Sequence, residues 1–309
     1  MSAHPAPLPA PLYQGSVNTW ECDDGGHLNI RFHVERAFSG LAHMAAAIGL
    51  PRAFTHAANA TLIPLELHAR FLKEARPGAP LAMHGGVAGI DETTARFVLD
   101  MRHADGAPAA CFNLKVAHAE TRGLRAFPWS ARTREAAERL KVALPAHARP
   151  RSIDINKPPV DASLARAREL GAQRIGGALV TPDQCDAFGR LRGEHFVGRI
   201  SDSVPNLLGR WRQAAASDGV SPAGAVVEAR VIYRRFPRPG ELIEVHSGIV
   251  ELGDKTLRLV HWLIDPETGG CWGGMEAVAL TFDTVTRKAI APSPEARQRI
   301  EQLLRPMSV

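Results

Sequence analysis

The sequence predicts an α+β fold made of two similar units in tandem. Three observations carry this: a strand and then a long helix in each half, a meander of alternating strands after each helix, and short motifs that recur at a nearly constant distance. Cys22-Asp23-x-x-Gly26 returns as Cys185-Asp186-x-x-Gly189, an offset of 163 (23 to 186). Arg76-Pro77-Gly78 returns as Arg238-Pro239-Gly240, and His84-x-Gly86 as His246-x-Gly248, both offset by 162. Asn113 to Ala117 falls on Glu276 to Leu280 at 163 again. An offset this steady across separated landmarks marks an internal repeat.

In the first unit, Tyr13 to Trp20 reads as a strand. Ile30, Val34, Ala37, Leu41, Met44 and Ile48 then recur in steps of four and three, the period of one buried helix face. That helix, about Leu28 to Leu50, stops at Gly49 with Pro51 behind it. Runs rich in Val, Leu, Phe and Thr follow at Thr61 to Leu72, Pro80 to Ile90, Thr94 to His103 and Ala109 to Ala119, separated by Gly, Pro and Asp turns. Such an order gives antiparallel strands around a helix. The second unit repeats it, with a strand near Arg174 to Val180, a helix from about Glu194 to Gln213, and strands near Ala225 to Arg235, Leu242 to Val250, Thr256 to Asp265 and Cys271 to Phe282. Its helix buries Val197, Ile200, Val204, Leu208 and Trp211 and carries Pro205 inside it, which predicts a kink. Ser130 to Leu144 and Asp161 to Leu170 read as linker helices, and Pro294 to Leu304 as a closing one. The expected organisation is residues 1–129, a helical linker 130–173, and residues 174–309.

With 309 residues the chain has length for about two domains of roughly 150 each. At 45% hydrophobic and 22% charged residues it has an ordinary globular composition. No run approaches the roughly 18 apolar residues of a membrane span, and the first dozen residues show neither the cationic start nor the apolar core of a secretory signal. A cytoplasmic location is therefore expected, without membrane attachment. The net charge of +5 favours anionic partners, but the basic residues are dispersed and the chain has two tyrosines, which argues against nucleic acid. Cys22, Cys111, Cys185 and Cys271 are far apart in sequence, with no C-x-x-C and no Cys/His clustering. Reduced thiols and no metal site are expected.

The chemically richest stretch is Trp20-Glu21-Cys22-Asp23-Asp24-Gly25-Gly26-His27-Leu28-Asn29. It sets a carboxylate, a glycine pair, an imidazole and an amide ahead of a helix, whose first N–H groups and positive dipole end can stabilise a developing oxyanion. The plainer reading makes Asp23 or Asp24 an N-cap and His27 a surface residue. Recurrence of the stretch favours the functional one. Gly85-Gly86-Val87-Ala88-Gly89 lacks phosphate-cradle spacing and reads as a strand bulge or a close-packing site. No G-x-S-x-G elbow occurs, and Cys22 beside Asp23 is a small filler, since a neighbouring carboxylate disfavours the thiolate.

Asp23-x-x-Gly26-His27-Leu28-Asn29, leading into a long helix and a strand meander, resembles the hotdog fold in its 4-hydroxybenzoyl-CoA thioesterase-like branch. The likeness covers roughly residues 12–127 and 174–290. It implies a double hotdog, two antiparallel sheets each wrapped around a long central helix, in which the tandem supplies the usual pair of domains as an internal pseudo-dimer; further self-association stays open. It implies Asp23 as nucleophile or general base, Gly26 and His27 as backbone oxyanion donors, and Asn29 as a polar side chain that orients water or substrate. The family's aromatic position a few residues into the helix is Phe32 or has become His33, and a frequent acidic position is Ser39 or Gly40. In the second unit Asp186 and Gly189 remain, while Arg190 replaces the His and Arg192 the Asn. Asp186, Arg190, Glu194, His195, Arg199 and Asp202 are the second-half candidates; His195, Arg199 and Asp202 share a helix face by spacing, either as one side of a composite site or as an intrahelical charge pair.

The implied reaction is hydrolysis of an acyl thioester on coenzyme A or acyl carrier protein, with coenzyme A as part of the substrate and no separate cofactor. A thiol of pKa about 8.5 leaves without strong acid help, so one carboxylate and preorganised N–H donors suffice. The alternatives are a hotdog hydratase or dehydratase using Asp23 and His27, whose usual motif is absent, and a noncatalytic acyl-CoA binding protein suggested by the diverged second motif.

Overall fold

The computed structural model describes residues 11–215, 222–283 and 288–309. The chain forms two compact units, Met1–Pro64 with Ala69–Arg149, and Leu65–His68 with Pro150–Val309. Each is α+β with antiparallel strands.

The first unit contains β1 (Tyr13–Ser16), α1 (Ile30–Ala47), β2 (Ala60–Phe71), β3 (Pro80–Ile90), β4 (Thr94–His103), β5 (Pro108–Glu120) and α2 (Ala131–Arg139), with the strands in the order β1-β3-β4-β5-β2. β1 is shorter than the predicted strand because the chain turns into a 3-10 helix at Thr19–Glu21. The predicted face of α1 is the buried one: Val34, Ala37, Leu41, Met44 and Ile48 lose essentially all solvent contact, and the helix lies against β1, β3 and β4. Gly40 permits the approach, since a Cβ there would sit 2.6 Å from Met83 Sδ and 3.4 Å from Leu99. A larger side chain at position 40 would have to displace Met83. The helix ends as expected, with Gly49 at φ +93.

The second unit contains α3 (Leu164–Glu169), β6 (Gln173–Leu179), α4 (Gly193–Ala215), β7 (Pro222–Tyr233), β8 (Leu242–Leu252), β9 (Thr256–Ile264), β10 (Cys271–Asp283) and α5 (Pro294–Glu301), with the strands in the order β7-β10-β9-β8-β6. α4 buries Val197 and Ile200 and nearly all of Leu208, leaves Val204 half-buried, and continues through Pro205; the side chain of Trp211 lies outside the described residues. Within this unit Glu228 accepts from His68 Nε2 (2.9 Å) and from the N–H groups of Arg151 (3.0 Å) and Ser152 (2.8 Å). Burial acts to raise that carboxyl, but these bonds prevail and hold it down to about 2.

The repeat reaches further than the sequence landmarks show. Ser130 caps α2 and Ser293 caps α5, 163 positions apart. After α2 the chain leaves the helical path at Leu140 because residues 140–142 bond to the edge of β3: Val87 N–H donates to Leu140 O (2.9 Å) and Val142 N–H to Val87 O (3.0 Å). After α5 the chain does the same to β8, where Arg305 N–H donates to Ile249 O (2.7 Å) and Leu304 bridges Ile249. Gly86 and Gly248 make these crossings possible: a Cβ on Gly86 would meet Val142 at 2.5 Å, and one on Gly248 would meet Met307 at 2.8 Å. The glycine run in β3 also holds a bulge, where the register shifts between Val87 and Gly89.

Candidate active site

Cys22 and Leu28 bridge as a minimal antiparallel pair, which pinches residues 23–27 into a loop. Asp23 N–H donates to His27 O (2.9 Å), and Gly26 N–H to Asp23 O (3.0 Å). Gly26 sits at φ +73, left-handed backbone that favours glycine. The Asp23 side chain folds over this frame, its Oδ1 accepting from Gly25 N–H (3.0 Å) and His27 N–H (3.2 Å). The carboxylate stays 40% exposed, and its Oδ1 is 3.6 Å from His27 Nδ1. The other ring nitrogen of His27 lies 3.1 Å from Glu74 Oε2.

The two N–H groups expected to face an oxyanion, those of Gly26 and His27, are thus engaged inside the loop. Asn29 is the N-cap of α1: its side chain accepts from Arg31 N–H (2.9 Å), and its own N–H donates to Glu21 O (2.9 Å). It sets where the helix begins. His33 is buried, with Nδ1 3.3 Å from Asn29 O and its ring edge-on to Phe71 at 5.3 Å. Burial lowers its pKa to about 4, so the imidazole is neutral at physiological pH. Cys22 is half-buried, and burial and then Asp23 push its thiol up, away from nucleophilic use.

Two further features do not follow from local sequence. Glu74 lies beyond β2 and reaches His27 because Leu28 N–H donates to Ala75 O (2.8 Å), which ties that segment beside the loop. Arg36 on α1 donates to buried Glu21 (2.8 Å), to Tyr13 Oη (3.0 Å) and to Phe32 O (3.0 Å) and so clamps the entry to the loop. The spacing of Glu21 and Arg36, fifteen residues across a turn and a helix, gives no periodic signal.

The second unit builds the same loop. Cys185 and Leu191 bridge, Asp186 N–H donates to Arg190 O (2.8 Å), Gly189 N–H donates to Asp186 O (3.0 Å), and Gly189 sits at φ +71. Asp186 Oδ1 accepts from Phe188 N–H (2.8 Å) and Arg190 N–H (3.0 Å). Here, however, Arg190 adds its guanidinium, with Nε 2.9 Å and Nη2 2.7 Å from Asp186 Oδ2, and lies over the Phe188 ring. The other second-half candidates diverge in direction. Arg199 bonds to Gln184 and Leu179 O, His195 Nε2 lies 3.0 Å from Arg192 Nη2, Glu194 is buried with Arg192 Nε 3.2 Å away, and Asp202 is exposed.

The model of the thioesterase-like superfamily matches residues 17–140 and again 180–300. The chain belongs to that superfamily. The two matches follow the repeat, and membership supports the expected enzyme class, a thioester hydrolase. No curated protein is a significant sequence match. Solved structures of similar fold include a putative oleoyl thioesterase from Lactobacillus plantarum (13% identity, TM-score 0.66, covering 87% of this chain and 95% of that one). They also include a 12:0-ACP thioesterase from Umbellularia californica (12%, 0.67, 87% and 93%) and an acyl-ACP thioesterase from Bacteroides thetaiotaomicron (12%, 0.61, 86% and 96%). At such identities the likeness is one of fold. Among the described residues no helix is long and apolar enough to cross a membrane.

Proposed function

We propose that the protein hydrolyses an acyl thioester carried on coenzyme A or acyl carrier protein, that its units are two hotdog domains joined as a double hotdog, and that Asp23 is the reacting carboxylate. The observation that carries this is the state of Asp23: partly exposed, oriented by two backbone N–H groups, and 3.6 Å from an imidazole that is itself held by Glu74. The activities for which the structural neighbours are named, on oleoyl and acyl-ACP thioesters, support the same substrate class.

Because Oδ1 is committed to the loop, Oδ2 is the reacting oxygen. It attacks the acyl carbon and expels the thiolate, leaving a mixed anhydride that water opens, or it takes a proton from the attacking water. Either route turns thioester and water into carboxylic acid and thiol. Either also removes the negative charge from Asp23, which weakens the hold of Oδ1 on the His27 N–H and releases that donor toward the oxyanion. His27 and Glu74 position the carboxylate, and Asn29 fixes the start of α1 below it. Coenzyme A enters as the leaving group, and no separate cofactor takes part.

A thiol-release assay over short, medium, long and aromatic acyl-CoA esters tests this. At least one ester is expected to release thiol, and Asp23→Asn to remove most of the activity. Loss of the double-bond absorbance of crotonyl-CoA with no thiol released would identify a hydratase instead. Acyl-CoA that raises the melting temperature without either reaction would identify a binding protein.

A further inference from the structure

β4 and β5 set Asp100 directly opposite Cys111, so their side chains stand side by side on one face of the first unit's sheet. The 3-10 turn Ala146–Ala148 packs onto that face through Ala148, and His147 places Nε2 3.0 Å from Asp100 Oδ1. Three donor atoms, a carboxylate oxygen of Asp100, Cys111 Sγ and a ring nitrogen of His147, lie within 4.8 Å of one another. The fold does not demand polar groups here. In the second unit the corresponding opposed pair is Trp262 and Gly274, and the indole fills the space, donating to Ser308 O at 2.8 Å.

We propose that Asp100, Cys111 and His147 form a binding site for one zinc-like divalent ion, completed by water on the partly exposed side of His147. The mixed oxygen, sulfur and nitrogen set suits zinc and disfavours calcium or magnesium, which take oxygen. Tetrahedral zinc with bonds of about 2.0–2.3 Å needs donors roughly 3.3–3.8 Å apart, so closure asks the widest pair to contract by up to about 1 Å while His147 Nε2 and Asp100 Oδ1, now 3.0 Å apart, open slightly. Arg102 holds the far carboxylate oxygen, Oδ2, through Nε (2.9 Å) and Nη2 (2.6 Å), and so aims Oδ1 at the site as outer partners of metal ligands do. On binding, the Cys111 S–H bond is replaced by S–metal and its proton passes to solvent, so carboxylate and thiolate together balance the ion's two charges. In the sequence the widely spaced cysteines argue against a metal; the partners proposed here for Cys111 arrive through strand pairing and a returning turn instead.

The test is a titration of the full, metal-stripped chain with cobalt(II) and then zinc. One equivalent of cobalt is expected to give a thiolate-to-metal charge-transfer band and tetrahedral visible bands, which zinc abolishes. Cys111→Ser removes the charge-transfer band. His147→Gln, on a partly exposed turn where folding is safe, weakens zinc binding at least about tenfold. Asp23→Asn is expected to keep the whole cobalt spectrum, because among the described residues Asp23 and the cluster share no bonding partner. Absence of the charge-transfer band in the unaltered protein, or unchanged affinity in His147→Gln, overturns the proposal.

Discussion

Asp23 and Asp186 begin from the same loop, with an Asp to Arg or His bridge, a left-handed glycine and two backbone N–H groups on Oδ1. They end with different freedom. Oδ2 of Asp186 is taken by the buried guanidinium of Arg190, which leaves the carboxylate 29% exposed, against 40% for Asp23. His27 and Glu74 in the first half correspond to Arg190 and Phe236 in the second, so imidazole and acid have been replaced together by a cation and an aromatic ring. A duplicated loop can therefore keep its backbone while one copy ties its acid to a buried cation and the other leaves it more open to solvent, the difference on which the proposed role of Asp23 rests.

The largest expected effect is on activity in the first loop. Asp23→Asn should lower kcat/KM for thiol release by about 10²–10⁴, because a reacting carboxylate is lost while the amide oxygen can still accept the loop bonds. Melting temperature should barely move, and an active Asp23→Asn would reverse the comparison. Asp186→Asn is expected to do the opposite, leaving kcat/KM near the unaltered value. It strands the charge of Arg190 and should cost about 2–3 kcal/mol in urea unfolding, less than a fully buried pair because Asp186 meets solvent. Next, His27→Gln should reduce kcat/KM about tenfold, with Glu74→Gln giving a similar loss, measured as a fall in kcat rather than a rise in KM; an effect confined to KM would assign the pair to binding.

The smallest effect concerns His33, whose counterpart 163 positions on is Phe196. The packing is matched, His33 on Phe71 at 5.3 Å and Phe196 on Tyr233 at 5.1 Å. With a folded pKa of about 4 against about 6.5 unfolded, the unfolded chain binds more protons between those values, so this residue's contribution rises with pH and is lost on acidification. His33→Phe should flatten part of the decline in urea midpoint between about pH 7 and pH 4. Buried His261, lowered to about 3, keeps the same sign and leaves a residual slope.

Much of this was legible in the sequence. The offset of 162–163 found the repeat, the three-four spacing found the buried face of α1, and the Asp23 to Asn29 stretch found the loop. What stayed hidden depends on long-range register. Glu74 reaches His27 only because Leu28 pairs with Ala75, and Asp100 meets Cys111 only because β4 pairs with β5 in that alignment. α2 ends earlier than the sequence predicts for a related reason: residues 140–142 are acceptable in a helix, but bonding to the rim of β3 wins. Asn29, whose amide the sequence offers as a polar group for water or substrate, also serves as the N-cap of α1, a role its position one residue before the helix dictates.

The returning segments at 140–142 and 304–305 also act as guards. An unpaired strand rim is a template on which a second molecule can zip itself, and these short crossings occupy β3 and β8 beyond the reach of β1 and β6. The final residues are held accordingly, with Val309 buried and its carbonyl accepting from Val160 N–H at 3.2 Å. A chain cut after Glu301 would bare the β8 rim and the apolar floor beneath it, and light scattering should then report self-association in a molecule whose Asp23 loop is untouched.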